Sequence, residues 1–399
     1  MQVMSPKSPP PNGPNGVSSG PVVLVLAALT LAMAWHWFPV SIAVAPSSAR
    51  SAKDVEAIAA RLTPPQGFTV NAYAIGLGQA RVMVLTSKGD IILSSPPHRV
   101  LLVKADSDGD GRSDGVETLI ETLEKPSGLF LDGDQLYIAE DSRVLRVGFN
   151  AETGKIAGTP GTILPDLPRN GMHWTRTIKK GPDGYFYVSI GASCNVCVET
   201  NPWRAGIIRF KPGEKAELYA SGLRNTVGFD WQPGTNALYG VDNGRDWLGD
   251  NLPPEEVNRI VEGGFYGWPY LYGDNQPDPD YGKEARDRTN HALPPVYGLP
   301  AHVAPLSILF LRHAKLAKFG DAALVAEHGS WNRSQKIGYQ VVALHWWEGQ
   351  ITEEPFLTGF LKGEGDVLGR PVDIVELPDG TIFISDDYNG VIWRVAPSP

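Results

Sequence analysis

One pattern recurs along the chain: a short apolar stretch, a turn carrying glycine, then a second stretch in which apolar residues crowd or alternate. It reads VMVLTSKGDIILSS from Val82 to Ser95, GLFLDGDQLYIAED from Gly128 to Asp141, and TIKKGPDGYFYVSIG from Thr177 to Gly191. It returns as VGFDWQPGTNALYGVDNG from Val227 to Gly244 and DIVELPDGTIFISDD from Asp373 to Asp387, with a degenerate copy from Ile308 to Gly329. Stretches of this length and period predict strands joined by tight turns. The turn glycines of the first four copies, Gly89, Gly133, Gly184 and Gly234, stand 44, 51 and 50 residues apart. Several copies lead to a further strand closing on arginine: VLRV (Val144 to Val147), IIRF (Ile207 to Phe210) and VIWRV (Val391 to Val395). A repeat of this length with about four short strands is what a propeller blade needs. Six copies predict an all-β fold, a six-bladed β-propeller over residues 67–399. The competing reading is a β-sandwich, which does not require a repeated turn-and-strand signature. The distance between copies four and five predicts an insertion running from Asn251 to Pro295.

Helical periodicity is confined to Ala52 to Leu62 (AKDVEAIAARL), stopped by Pro64 and Pro65, within a linker over residues 46–66. Residues 1–20 are rich in Pro, Gly, Ser and Asn and predict a disordered tail. Residues 21–45 are apolar apart from a few positions, beginning PVVLVLAALTLAMAWHWF. That length nearly spans a bilayer, and Ala43-Val44-Ala45 has the form of a cleavage site, so the segment reads as a signal peptide or a membrane anchor. Both readings export the rest of the chain. The expected location is periplasmic or otherwise extracytoplasmic, with the anchored form held at the inner membrane.

Composition narrows the field. Gly (44) and Pro (34) are in excess in a chain of 399 residues without a Gly-X-Y period, which suits a turn-rich β domain and excludes collagen. The net charge of −9 comes without a basic block, which argues against nucleic-acid binding. The only cysteines, Cys194 and Cys197, form a Cys-x-x-Cys pair that predicts a disulfide in an exported protein. Val198 follows where covalent haem attachment needs His.

The sharpest local motif runs from Asp106 to Glu117 (DSDGDGRSDGVE). It matches a calcium loop: carboxylates from Asp106, Asp108, Asp110 and Glu117, a backbone carbonyl from Arg112, and a direct or water-mediated contact from Asp114. The alternative is a solvated acidic loop between blades one and two. Polar clusters also flank the repeated strands. His173 precedes the third copy and is placed to act as a general base. Arg224 and Asn225 in GLRN, Gly244 and Arg245 in VDNGRDWLGD, Arg333 in EHGSWNR and Arg370 in GRPVD flank later ones. Arginine at several strand ends suits an anionic ligand in a central channel, or else a set of salt bridges between blades.

Taken in order, SIGASCNVC, SGLRN, NGRD, LPPEEVN, GGFYGWP, HVAP and EHGSWNR resemble the glucose/sorbosone dehydrogenase family, over about Gly67 to Val395, and most closely its L-sorbosone dehydrogenases. The resemblance implies a six-bladed propeller that uses pyrroloquinoline quinone with calcium. It implies that His173 takes the proton of the substrate hydroxyl as hydride moves to the quinone, and that Arg224 and Asn225 contact quinone oxygens. By the same resemblance, backbone carbonyls of Gly244 and Arg245 hold a bridging calcium, and Arg370 meets a cofactor carboxylate. A second family arginine is Val372 here, and for the family's blade-five lysine the nearest residues are Arg333 and Lys336. Glu256 and Tyr266 fall near a structural calcium site of some members. The implied activity is oxidation of a sugar or sugar aldehyde to a lactone or acid, with electrons leaving to a separate quinone or cytochrome acceptor. A calcium-dependent lactonase on the same scaffold, or a non-enzymatic binding module, are the rival readings.

Overall fold

The computed structural model describes residues 51–399 apart from 285–288, 314–316, 364 and 399. The expected tail and the apolar segment of residues 21–45 lie outside the described residues. Among those described, no helix is long and apolar enough to cross a membrane.

Six sheets, each of four antiparallel strands, make the six blades, and the third is widened by the short parallel strand Gly264–Phe265. The first strand of each blade lines the central channel: Met83–Leu85, Gly128–Asp132, Ile178–Lys180, Thr226–Trp231, Pro305–Phe310 and Pro371–Glu376. The second strands are the most buried, with every residue of Ile91–Ser95, Phe186–Ile190, Leu238–Asp242, Ala323–Glu327 and Ile382–Asp386 inside. Their near-continuous apolar runs follow from burial on both faces. In blade one, Ile91 and Leu93 pack towards blade six, whereas Ile92 between them packs towards blade two. Period two still holds, but both phases meet a neighbouring sheet. A separate apolar cluster fills each of the six blade interfaces.

The ring closes through the termini of the domain. Blade six supplies three strands from the C-terminal end, and Phe68–Ala74 adds the outer one, pairing Phe68 with Pro397, Val70 with Val395 and Ala72 with Trp393. The sequence pattern did not reveal this strand, whose half-buried residues lack the repeat's turn signature.

Three sequence expectations change. The helix is Ala52–Ala59, shorter than Ala52 to Leu62, because Arg61 and Leu62 donate to carbonyls three residues back and tighten the last turn before Pro64. Ser51 caps it by accepting from the Asp54 amide, and Val55 and Ile58 bury against blades five and six. The insertion is smaller than Asn251 to Pro295, because Glu255–Ile260 is the third strand of blade four and Tyr297–Leu299 its fourth. The acidic loop lies inside blade one, between Arg99–Val103 and Val116–Ile120, rather than between blades one and two.

Trp393 is completely buried in blade six, and its indole N–H donates to Asp386 at 3.1 Å. Trp393→Ala should therefore lower the denaturant midpoint by the equivalent of about 3–5 kcal/mol, with the lost donor to a buried carboxylate adding to the cavity. Trp347, on the outer strand pair and 74% exposed, is the control. Trp347→Ala should shift the midpoint by no more than about 0.5 kcal/mol.

Candidate active site at one end of the channel

In an antiparallel pair the start of one strand lies beside the end of the next. Thr226 pairs with Asp242, Pro305 with Glu327 and Pro371 with Asp386. Residues just before the channel-lining strand and just after its neighbour therefore gather at the same end of the channel. His173, Arg224, Asn225 and Arg370 all have such positions, and the structure adds Arg81, His328 and Asp387.

His173 has its Nδ1 2.7 Å from the carbonyl oxygen of Ala192. A carbonyl can only accept, so Nδ1 carries the proton and Nε2 keeps a lone pair. Burial, then Arg224, Arg204 and Arg176, push His173 down to about 3, so the ring is neutral near pH 7. Arg204 gives all its hydrogen bonds to carbonyls, of Gly191, Pro168 and Arg169, and holds the loop carrying His173. His173 and Asn225 meet across Gly191. A Cβ there would lie 2.4 Å from Asn225 Oδ1 and 2.6 Å from His173 Cβ, so only glycine permits the approach.

Arg224 is buried and heavily engaged. Its Nε donates to the Asn195 carbonyl at 2.8 Å and its Nη1 to the Asn243 carbonyl at 3.0 Å. Its Nη2 donates to Asn195 Oδ1 and Asp246 Oδ2. Four of five N–H groups are thereby taken, leaving one for a ligand. Asp242, pushed up to about 6 by burial, accepts from the Arg224 and Asn225 amides and the Thr226 hydroxyl, and so fixes the backbone of the pair. No hydrogen bond reaches the half-buried Asn225 carboxamide among the described residues.

On the other side of the channel, Asp387 accepts from Arg81 Nη1 at 2.7 Å and lies 2.9 Å from His328 Nε2. Burial opposes its ionisation, but His328, Arg81 and Arg370 hold it below the ordinary carboxylate range. Burial drives His328 down to about 4 against the pull of Asp387. Arg370 makes one long contact, from Nε to the His328 carbonyl at 3.4 Å, and the Nε of Arg81 is buried without a partner. Both guanidiniums keep unbonded donors. Arg81 also lies over the ring of Trp174, next to His173. Arg81, His328 and Asp387 escaped the sequence reading. Arg81 immediately precedes the first repeated unit and Asp387 ends the last, and that position was the available signal.

The remaining candidates are engaged with partners of their own. Arg333 donates to the Asp250 carbonyl and to Asn251 Oδ1. Lys336 reaches the Gly365 carbonyl. The Gly244 amide donates to Glu255, and Arg245 forks onto both oxygens of Asp278 and onto Asp280. Glu255 and Glu256 are both pushed up to about 8 by burial. Glu256 accepts from the Gly273 amide, and the Tyr266 hydroxyl donates to the Arg259 carbonyl. Arg224, Asp242, Gly244, Arg245, Glu256 and Asp278, with Trp268 and Leu271 among the apolar lining, surround a void of about 20 Å³, room for a water or an ion only. The larger cavity, about 540 Å³, is the channel bounded by the inner strands of all six blades. It reaches Arg81 and Thr175 at this end, yet none of His173, Arg224, Asn225, Arg333 or Arg370 lines it.

In the acidic loop, one carboxylate oxygen each from Asp106, Asp108 and Asp114 lies within 4.8 Å of the others. Asp106 accepts from the Gly109 and Gly111 amides, a loop wrapped around its first carboxylate. Asp110 accepts from the Arg112 amide, and Glu117 pairs with Lys104 instead of turning into the cluster. Arg112 pairs with Glu56 of the helix. Cys194 and Cys197 form a disulfide, so neither sulfur is available as a zinc ligand.

The family model described as TrAA12-like matches residues 62–261, and that of Glucose / Sorbosone dehydrogenase matches residues 199–394. The chain is 33% identical over 356 residues to an uncharacterized protein of Borreliella burgdorferi, covering 85% of this chain and 92% of that one. It is 24% identical over 405 residues to a pyrroloquinoline quinone-dependent pyranose dehydrogenase of Coprinopsis cinerea, covering 82% of this chain and 54% of that relative, so it spans about half of the relative's length. The iodide structure of the Trichoderma reesei carbohydrate-active enzyme of family AA12 superposes with a TM-score of 0.75 at 22% identity, covering 85% of this chain and 98% of that one, a likeness of fold.

His328 generates a pH test. Its folded pKa is lowered, so between pH 6.5 and about 4 the unfolded chain binds a proton that the folded one does not. Stability falls as pH drops through that window. The effect is on the order of 3 kcal/mol at its lower end, at about 1.4 kcal/mol per pH unit. His328→Asn removes it, so the variant's melting temperature should fall less steeply than the wild type's below pH 6.5, and the two curves should run parallel above pH 7. Parallel curves throughout would mean that His328 titrates normally.

Proposed function

We propose, for a chain that belongs to the TrAA12-like and glucose/sorbosone dehydrogenase families, that it is a quinoprotein dehydrogenase oxidising a pyranose or sugar aldehyde to the lactone or acid. Pyrroloquinoline quinone is its cofactor and calcium its metal. One observation carries the reading: a neutral histidine with a free Nε2 lone pair stands at a channel end with Arg224 on its own side and Arg81 and Arg370 around His328 and Asp387.

The residues present fit the cofactor. It bears three carboxylates, and the unpaired Nε of Arg81 and the nearly unbonded guanidinium of Arg370 are donors suited to them. Arg370 serves here without a second arginine two residues on, since Val372 is buried in its strand. The one spare N–H of Arg224 and the unbonded amide of Asn225 suit the quinone oxygens. When bound, the cofactor supplies an electrophilic ortho-quinone that accepts hydride from the sugar's carbon. His173 accepts the hydroxyl proton at Nε2 while the Ala192 carbonyl holds its ring. Negative charge bound among these arginines would offset their repulsion of the imidazolium and raise His173 from about 3 towards a working range. Asp242 fixes the backbone of Arg224 and Asn225, so both donors are oriented before any ligand arrives.

Two calcium roles accompany this reading. Carbonyls of the Gly244 and Arg245 loop are the candidates for an ion at the cofactor. Asp106, Asp108 and Asp114 are preassembled for a structural ion, with Asp110, the Arg112 carbonyl and Glu117 completing it if Glu117 leaves Lys104. A separate quinone or cytochrome must remove the electrons, because the Cys-x-x-Cys pair carries no haem motif. The disulfide supports an exported, periplasmic protein, with residues 21–45 as leader or anchor.

His173→Ala should lower kcat by roughly 10²–10⁴-fold while leaving cofactor binding, followed by quinone absorbance, nearly unchanged. Arg370→Ala should instead weaken cofactor binding by about tenfold or more, as expected for a hydrogen bond to a charged group. Wild-type turnover in His173→Ala with saturating cofactor and calcium would remove His173 as the base.

Chelation should lower the melting temperature of wild-type protein, and calcium at about a hundredfold excess over its Kd should restore about 2.7 kcal/mol. Asp106→Ala with Asp108→Ala should abolish that response while quinone binding persists. An unaltered response in the double variant would place the stabilising ion elsewhere.

A further inference from the structure

The loop that follows the second strand of blade four, Asn243 to Asp250, is pinned on every side. Asp246 holds Arg224 and accepts from Asn332 Nδ2 at 2.9 Å. Asn195 contacts Asp246 through its Oδ1 and Nδ2, His302 Nε2 meets the Gly249 carbonyl, and Asp250 accepts from Ser334. Nothing about such a loop requires a large apolar side chain in solvent. Yet Trp247, the residue after Asp246, is 69% exposed, and its backbone is held at φ 72°. That left-handed conformation is unfavourable for a bulky residue, and strain of this kind persists where surrounding contacts enforce it.

Across from it, Trp331 on the blade-five loop is 50% exposed and precedes Asn332, the residue bonded to Asp246. The two indoles meet edge to face, with ring centroids 5.3 Å apart and planes at 88°. They form an L-shaped apolar wall beside the Asn332–Asp246 hydrogen bond and the Asp246–Arg224 ion pair. Two perpendicular indole faces, both half exposed or more, suit a ring that has an apolar C–H face and a hydroxylated edge.

We propose that Trp247 and Trp331 form a pyranose-stacking platform at the rim of the channel, which selects a sugar in its ring form and positions it for the site beneath. This rests on the dehydrogenase reading for its chemistry, though the platform itself requires no cofactor. The ring stacks its C–H face on one indole and abuts the other, with its hydroxylated edge turned to solvent. The pinned loop keeps the platform rigid before the sugar arrives, so little ordering entropy is lost on binding.

The test uses the full chain without cofactor and methyl aldopyranosides of the gluco, galacto and manno series, whose blocked anomeric carbon leaves nothing there to oxidise. At least one should shift or quench the tryptophan emission of the wild type with saturation. Trp247→Ala and Trp331→Ala should each weaken that saturation by about tenfold, and Trp247→Phe should recover part of it. In cofactor-loaded enzyme the same alanine variants should raise KM for the free aldose by about tenfold, leave kcat within about twofold, and leave quinone binding unchanged. Emission that no glycoside alters, or that saturates equally in both alanine variants, overturns the platform. A loaded enzyme that oxidises aldoses with unchanged KM in the variants also overturns it while the dehydrogenase reading stands. A protein that binds glycosides through the tryptophans but takes up no quinone keeps the platform and removes the dehydrogenase reading.

Discussion

The structure depends on closing a ring without a covalent bond. Each blade is a sheet with two apolar faces, and neither face can be left to water, so every blade needs a neighbour on each side. A linear array would leave two faces bare. Pairing Phe68–Ala74 with Val391–Pro397 removes that cost and ties the start of the domain to its end. The channel, and hence a single place where six strand ends converge, exists only because the ring is closed. The helix Ala52–Ala59 and the acidic loop both brace this seam. Val55 and Ile58 pack behind it, Asn71 donates to the Gly111 carbonyl, and the Ser113 amide donates to the Tyr73 carbonyl.

What the sequence revealed follows from where burial is two-sided. Second strands such as IILSS and FYVSI are apolar in both phases and stand out, and with them came the blade count. Outer strands have one covered face or none, so FTVNAYA and KIAGTPGTIL carry little pattern. The strand Glu255–Ile260 was mistaken for insertion because EEVNRI looks solvated, although Glu255, Glu256 and Asn258 are buried, with the Gly244 amide donating to Glu255 and the Gly273 amide and Asn258 Nδ2 donating to Glu256. Site residues were legible where position in the repeat singled them out, as for His173, Arg224, Asn225 and Arg370. Arg333 was legible as a cation at a strand end, but Asp250, more than eighty positions earlier, claims it, and that pairing has no local signature. His328 and Asp387 act as a pair that only the ring assembles.

The candidate site is a place where ionic groups are buried before anything binds. Arg176, Arg204 and Arg224 are inside, facing carbonyls as much as carboxylates, and Asp242 and Asp387 are inside with them. Buried charges of this kind are poor contributors to stability, since desolvation offsets most of the attraction. Their retention makes sense as preorganisation: donors are aimed and immobile, and the hydrophobic interfaces between blades supply the stability that holds them there.

The short disulfide has a consequence of its own. Cys194 and Cys197 close a very small loop, so they constrain the unfolded chain little. That loop begins two residues after Ala192, the residue whose carbonyl orients His173, and Ser193 just before it accepts the Met172 amide at its carbonyl. Protein made in a reducing cytosol and only partly oxidised afterwards would therefore fold much as the oxidised form does, yet contain two populations differing in how firmly the imidazole is held. Such a preparation would betray itself in turnover that is heterogeneous from molecule to molecule, and re-oxidation would make it uniform without refolding anything.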